Sequence, residues 1–242
     1  MERRVNGVAK PILFGELTSA DVARIAKAKK KPIVIVPMGA LEAHGDYLPL
    51  WSDSIVPYKL AQKVSEKTGA LVLPPIPYGF CYTLRPWAGT MSLKSRTYAL
   101  IIEDITRELV RNGFQKILFL NGHGANASIA SHTLAELSGE LRFTACIVSW
   151  WGIKGLDSGV GHADENEASI VMALSGWKKR KTKQEKCVSF FGKVIPAPKG
   201  VLSSRGYVGK VGGESVEKGK RMEKIIVDKL TKLVKADLIL KE

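Results

Sequence analysis

The chain has 242 residues, 45% of them hydrophobic and 25% charged, a balance that excludes a mainly disordered protein and suffices for a sizeable core in one α/β unit. No run approaches roughly 18 uncharged apolar residues, and the opening MERRVNGVAKP lacks the apolar stretch of a secretion signal, so neither a membrane span nor export is expected. The net charge of +14 invites a search for anionic partners, while Cys81, Cys146 and Cys187, widely spaced and without a CxxC pair, fit a reducing, cytoplasmic setting.

In chain order, Thr18-Ser19-Ala20-Asp21 caps a helix that runs through VARIAKAKKK and ends in its lysines. Pro32-IVIVPMGA follows, an apolar, β-branched run that reads as a buried strand of a parallel sheet. The same pattern recurs in ALVLPPI (Ala70–Ile76), KILFLNGHG (Lys116–Gly124) and TACIVSWWG (Thr144–Gly152). Between these runs lie three amphipathic stretches, SDSIVPYKLAQKVSEKTG, SRTYALIIEDITRELVRNG and ANASIASHTLAELSG, each closing on glycine as helices commonly do. A further helix contains Ser169–Leu174 and opens on Asp164-Glu165-Asn166-Glu167; a glycine-rich excursion follows, and VEKGKRMEKIIVDKLTKLVKADLIL closes the chain as an amphipathic helix. Alternating strands and helices predict an α/β fold, a single-domain three-layer αβα sandwich over residues 1–242 with a mostly parallel central sheet.

Ligands of open α/β sheets bind beyond the carboxyl ends of the strands, and the rarest polar residues of this chain fall there. Glu42 and His44 follow the first strand run, with Asp53 nine residues beyond His44. Asn121-Gly122-His123-Gly124 follows the third, and His162, Glu165 and Glu167 follow the fourth. One histidine of this kind reads as a hydrogen-bonded loop residue, but three with several carboxylates form a ligand set for zinc, manganese or iron(II). His132 lies within a helical stretch and is expected to be structural. Tyr82 and Arg85, in the loop after the second strand, are candidate substrate contacts, as is Trp151.

The lysine clusters Lys27–Lys31 and Lys178–Lys186 read chiefly as solvated surface, with attraction of anionic substrates as the alternative. Trp150, Trp151 and Phe190-Phe191 near basic runs raise nucleic-acid binding as a competing class, but no helix-turn-helix, RNP or zinc-knuckle pattern accompanies them.

GALEAHGDYLPLWSD, PPIPYG, LNGHGAN, HADENEAS and the terminal EKGKR, in that order across about residues 33–221, resemble the motifs of the creatininase (creatinine amidohydrolase) family. The resemblance implies a creatininase-like fold and a metal-dependent hydrolase of non-peptide amide bonds. It implies two divalent ions (Zn, Mn or Fe(II)) on Glu42, His44, Asp53 and His123, with Asp53 bridging, and a homo-oligomer, hexameric by family. It also brings alternatives: creatinine hydrolysis proper, deformylation of a formamidopyrimidine nucleotide in archaeal flavin or deazaflavin biosynthesis, peptide-cofactor maturation, or a decayed, inactive metal-binding scaffold.

The chain departs from the family at two places. A glutamate that binds metal in creatininases is Ala125 here, which makes Glu167 the expected replacement ligand; a Trp-Asp pair is replaced by Ser158-Gly159. His162 is then the expected proton donor to the leaving nitrogen, with Glu165 or Glu167 orienting it. The expected substrate is a small amide, formylated or anionic and possibly phosphorylated, met by Arg85, with little activity on creatinine.

Overall fold

The computed structural model describes residues 4–5, 8–156, 160–188 and 200–238. Two short strands, β1 (Arg4–Val5) and β2 (Val8–Ala9), form an antiparallel ladder of their own. The main sheet holds β3 (Ile12–Leu13), β4 (Val34–Met38), β5 (Leu71–Val72), β6 (Lys116–Asn121) and β7 (Thr144–Ser149), in the spatial order β3-β5-β4-β6-β7. Every neighbouring pair in it is parallel, with Val34 opposite Ile117 and Lys116 opposite Thr144.

The β4 run is buried along its whole length, as a strand covered on both faces must be. Its side chains alternate between two cores. Ile33 and Ile35 join Leu118 and Leu120 under α2 (Ser52–Thr68), α5 (Glu165–Ser175) and α6 (Val216–Lys235). Val34, Val36 and Met38 join Ile117 and Phe119 under α1 (Ser19–Ala26), α3 (Ser95–Arg111) and α4 (Asn126–Leu137). The three-layer sandwich and its parallel sheet are therefore as the alternating pattern implies.

Differences lie at element ends. The predicted strand Ala70–Ile76 is hydrogen-bonded as a strand only at Leu71–Val72, because Pro74 and Pro75 have no N–H to give; Ile76 returns to the sheet through a single bridge to Met38. Helix α1 starts on a Thr18–Asp21 capping box as expected but stops at Ala26, leaving the lysines in the turn beyond. Strand β3 is two residues long and carries too little pattern to be read from sequence. The closing helix ends at Lys235 rather than running to Leu240, and residues 239–242 lie outside the described residues. Ser158-Gly159 and Phe190-Phe191 also lie outside them. No helix among the described residues is long and apolar enough to cross a membrane.

Chain direction reverses between β4 and β6: the chain leaves β4 toward β5 on one side, then crosses to β6 on the other. The loops beyond these two strands must splay apart, which opens a crevice at their carboxyl ends.

Candidate metal centre

Helix α2 begins in that crevice with Asp53 in its first turn, where the helix dipole favours a carboxylate. Close approach is possible because β4 and β6 are each followed directly by a glycine, Gly39 and Gly122. A Cβ on Gly122 would lie 2.0 Å from the Asp53 carbonyl and 2.8 Å from the Pro57 ring, and one on Gly39 would lie 2.1 Å from Ser54 Oγ. Pro57, four residues on, has no N–H for the Asp53 carbonyl, so the helix start is shaped to this contact.

Asp53 is the hinge of the cluster. Its Oδ1 lies 2.9 Å from His44 Nε2 and its Oδ2 lies 2.9 Å from His123 Nδ1. Glu42 Oε1 stands 3.1 Å from the same His123 nitrogen, and Glu167 Oε2 stands 3.7 Å from the His44 nitrogen. Two donor groups thus share one carboxylate: Glu42, His123 and Asp53 Oδ2 on one side, and His44, Glu167 and Asp53 Oδ1 on the other. All five residues are buried.

The remaining nitrogen of each imidazole is tied to the main chain. His44 Nδ1–H donates to the Glu42 carbonyl at 3.0 Å, His123 Nε2–H to the Phe80 carbonyl at 3.0 Å, and His162 Nε2–H to the Ala43 carbonyl at 2.8 Å. A carbonyl only accepts, so these contacts fix the tautomers and leave the opposite nitrogens facing carboxylates. His162 Nδ1 lies 3.6 Å from Glu42 Oε1, and its ring sits 4.5 Å from that of His44.

Burial alone would depress the His44 imidazole, but Asp53 and Glu167 outweigh it and hold the ring well above its ordinary value. Burial likewise opposes the charge on His123, and Glu42 and Asp53 overcome it. Burial would raise Asp53, yet His44 and then His123 hold its carboxyl well below the usual range. The pocket therefore demands positive charge between its carboxylates and imidazoles. Glu42 Oε2 is buried and has no hydrogen-bond partner among the described residues, the orphan a cation would satisfy.

The supporting shell was only partly legible in the motifs. Asn121 accepts the His123 N–H at 3.1 Å and donates to its carbonyl at 2.8 Å, clamping the loop that aims the imidazole. Asn126 joins the loops after β4 and β5, donating to the Gly39 carbonyl at 2.9 Å and accepting from Phe80 N–H at 3.3 Å. Ala163 has φ of +49°, held there by its N–H to Glu167 Oε2 at 2.6 Å and by Tyr47 Oη donating to its carbonyl. The asparagines stand beside His123 in LNGHGAN, so their position was the available signal.

The cluster forms the floor of a cavity of about 390 Å³ whose walls include Phe80, Leu84, Trp151, Val160, Leu202 and Val208. Trp151 is therefore where a substrate contact was expected. Tyr82 and Arg85 are exposed and lie outside this lining, the guanidinium resting 4.9 Å over the Tyr82 ring, so the structure does not bring them to the site. Glu165 also turns away. It pairs with Lys218 at 3.0 Å at the start of α6, because residues two apart on a helix face nearly opposite sides and Glu167 takes the inward one. His132 is exposed on α4. Among the described residues no lysine or arginine lines the cavity. Cys81, absent from the expected site residues, lines it.

The family model for creatininase, described as creatinine amidohydrolase, matches residues 15–234. A creatinine amidohydrolase of Pseudomonas putida is 31% identical over 194 residues, covering 69% of this chain and 73% of that protein. A mycofactocin precursor peptide peptidase of Mycolicibacterium smegmatis is 29% identical over 174 residues, covering 69% and 66% respectively. A solved structure described as "Creatininase Mn" superposes with a TM-score of 0.85 at 25% identity, covering 96% of this chain and all of that one.

Proposed function

The chain belongs to the creatininase family of metal-dependent amidohydrolases, and from that premise we propose that it hydrolyses a small, uncharged non-peptide amide, a cyclic amide or a formamide, at a two-metal centre. Glu42 and His123 would hold one ion and His44 and Glu167 the other, with Asp53 shared between them; Glu167 would take the place left by Ala125. The observation that carries this reading is the common pose of His44 and His123, each giving one N–H to a carbonyl and turning its other nitrogen onto carboxylate oxygens. Two lone pairs facing each other at 2.9 Å repel unless a proton or a metal lies between them, and ligating imidazoles are oriented in this way. Nitrogen and carboxylate donors suit zinc, manganese and iron(II) alike.

Bound there, divalent ions would supply polarisation of an amide carbonyl and a water that is nucleophilic near neutral pH. The chain's own part begins with the walls: Phe80, Leu84, Trp151 and Val208 exclude bulk water, which strengthens every charge interaction inside. His162, with Nε2–H fixed on Ala43, lines the cavity, where its Nδ1 would take the proton that the attacking water gives up and pass it to the leaving nitrogen. Walls that are apolar and carry no cation among the described residues favour an uncharged substrate over the phosphorylated ribosyl-pyrimidine of a deformylase.

A homo-oligomer belongs to the same reading, supported by exposed Leu50 and Met91, which flank the Leu41–Glu42 segment through main-chain hydrogen bonds and leave apolar surface beside the site. Residues 1–242 act in it as one catalytic domain.

The test compares creatinine, other small cyclic amides, N-formyl amides, formamidopyrimidine nucleotides and short peptides on one metal-reconstituted preparation. The highest kcat/KM is expected for a neutral cyclic amide or formamide, and a preference for peptides or phosphorylated compounds overturns the reading. His162→Ala should lower kcat by about 10²–10⁴-fold with both ions retained; loss of an ion with the activity would make His162 a ligand instead.

A further inference from the structure

We propose that Cys81 is a thiolate ligand of the ion held by Glu42, His123 and Asp53, which makes the two metal positions chemically unequal; this rests on the two-metal reading above. The Cys81 sulfur, a Glu42 carboxylate oxygen and a His123 ring nitrogen all lie within 4.8 Å of one another, and all three residues are buried. Independently, Glu42 is only 1% exposed and its Oε2 has no hydrogen-bond partner among the described residues, so the carboxylate of this triad is left short of a cation.

The loop brings Cys81 to this place by the same contacts that orient His123. Phe80 gives its carbonyl to His123 Nε2–H, and its own N–H is held by Asn126. The next residue is Cys81, whose N–H donates to Ser92 Oγ at 2.9 Å and whose carbonyl accepts from Leu84 N–H at 3.1 Å. With its backbone fixed on both sides, its side chain faces the cluster rather than solvent. Cys81 has no disulfide partner, so its sulfur is available.

The chemical consequence is asymmetry. The His44 side offers one nitrogen and two carboxylates, whereas the His123 side offers a nitrogen, two carboxylates and a sulfur, four donors in all. Four donors including a thiolate suit a tetrahedral zinc, and a soft donor selects zinc, cobalt(II) or iron(II) over manganese. On metal binding the thiol proton leaves to solvent and the Sγ–metal bond replaces the S–H bond. The Cys81 side therefore prefers zinc-like ions, while the His44 side accepts harder ones.

Cobalt(II) is the probe. The full-length metal-free protein is titrated with cobalt(II) while bound metal and the near-ultraviolet thiolate-to-cobalt charge-transfer band are followed. Two cobalt ions per chain and a band equivalent to one thiolate are expected, with the band lost in Cys81→Ser and kept in Cys146→Ser and Cys187→Ser. Cys146 and Cys187 do not line the cavity, so they serve as controls. Two bound ions with no band, or a band that survives Cys81→Ser, overturn the proposal and leave the two-metal reading standing; fewer than two ions overturn both. Should Cys81→Ser fail to fold, X-ray absorption of the zinc-loaded wild type decides: a sulfur scatterer at about 2.3 Å supports the ligand, and its absence rejects it. Zinc-over-manganese preference at that position should fall by about tenfold or more in the variant.

Discussion

The two ends of the central sheet carry opposite chemistry. At the carboxyl end, Glu42, Asp53 and Glu167 are buried against His44 and His123, and the walls above them are apolar. At the amino end, a larger cavity of about 570 Å³ is lined by Lys10, Arg24, Lys30, Lys31 and Lys67, where Arg24 pairs with Asp21 and Lys67 with Asp228 on exposed surface. Helix α2 spans the difference, with Asp53 in its first turn and Lys67 in its last, each matching the sign of the helix dipole there. The excess of basic residues therefore says little about the reaction. Chemistry is concentrated where charge is buried and must be balanced; charge that water can reach is balanced by water and salt.

The largest expected effect comes from removing the residue on which the carboxyl end turns. Asp53→Ala should abolish binding of both ions, read by elemental analysis, and lower kcat/KM by roughly 10³-fold or more as carbonyl polarisation is lost. Asn121→Ala only unties the His123 loop and should cost about 10–100-fold in metal affinity. Full metal occupancy in Asp53→Ala would break the comparison, because the cluster would then not be organised by the carboxylate its geometry centres on.

A middle-sized effect sharpens it through pH. In chelated protein, His44 and His123 are held above the ordinary 6.5, so the stability they contribute is fully present below that value and is lost as pH rises through their higher folded values. Asp53 is held below the ordinary 3.8, so its contribution is present above that pH and is lost as pH falls. The metal-free protein should accordingly be most stable between about pH 4 and 6.5. Metal competes with the same protons and binds more tightly as pH rises. The gap in Tm between loaded and chelated protein should widen from about pH 6 to 9; a gap that narrows over that range would mean that the ions do not occupy the imidazole–carboxylate cluster.

Much of this was readable before any coordinates because it depends on patterns longer than one residue. Buried runs such as Val34–Met38 mark sheet interior, and ligands of open α/β sheets sit beyond strand ends, so Glu42, His44, Asp53 and His123 could be placed together from their positions after strands; the strand order that opens the crevice between β4 and β6 is seen only in the structure. What escaped depends on the aim of single side chains. Glu165 and Glu167 are alike in sequence, and only the face each takes on α5 separates an ion pair with Lys218 from a place beside His44. Tyr82 and Cys81 are neighbours on one loop, yet the first points outward and the second inward. The position of Cys81 after a strand was a usable signal, but with no second cysteine near it the sequence holds no paired-thiol metal motif.

The smallest effect is expected at the amino end, and its smallness is what tests the comparison from the other side. Helix α2 has 17 residues, so at about 1.5 Å per residue its two ends stand roughly 25 Å apart, well beyond a Debye length of about 8 Å at physiological salt. Lys67 lies in the last turn of α2 and pairs with Asp228 on exposed surface, and Lys30 and Lys31 are exposed beyond the end of α1; such groups contribute little individually. Lys67→Ala, alone or combined with Lys30→Ala and Lys31→Ala, should leave kcat/KM within about twofold and stability within about 0.5 kcal/mol per substitution. The kcat/KM of the unsubstituted protein should also stay nearly flat as salt is raised, because a neutral substrate is not steered. A tenfold fall in the triple variant, or a steep loss of kcat/KM with salt, would show that the basic surface gathers an anionic substrate over a long range. The two ends of the sheet would then act together, and the case for an uncharged amide would fail with the separation on which it depends.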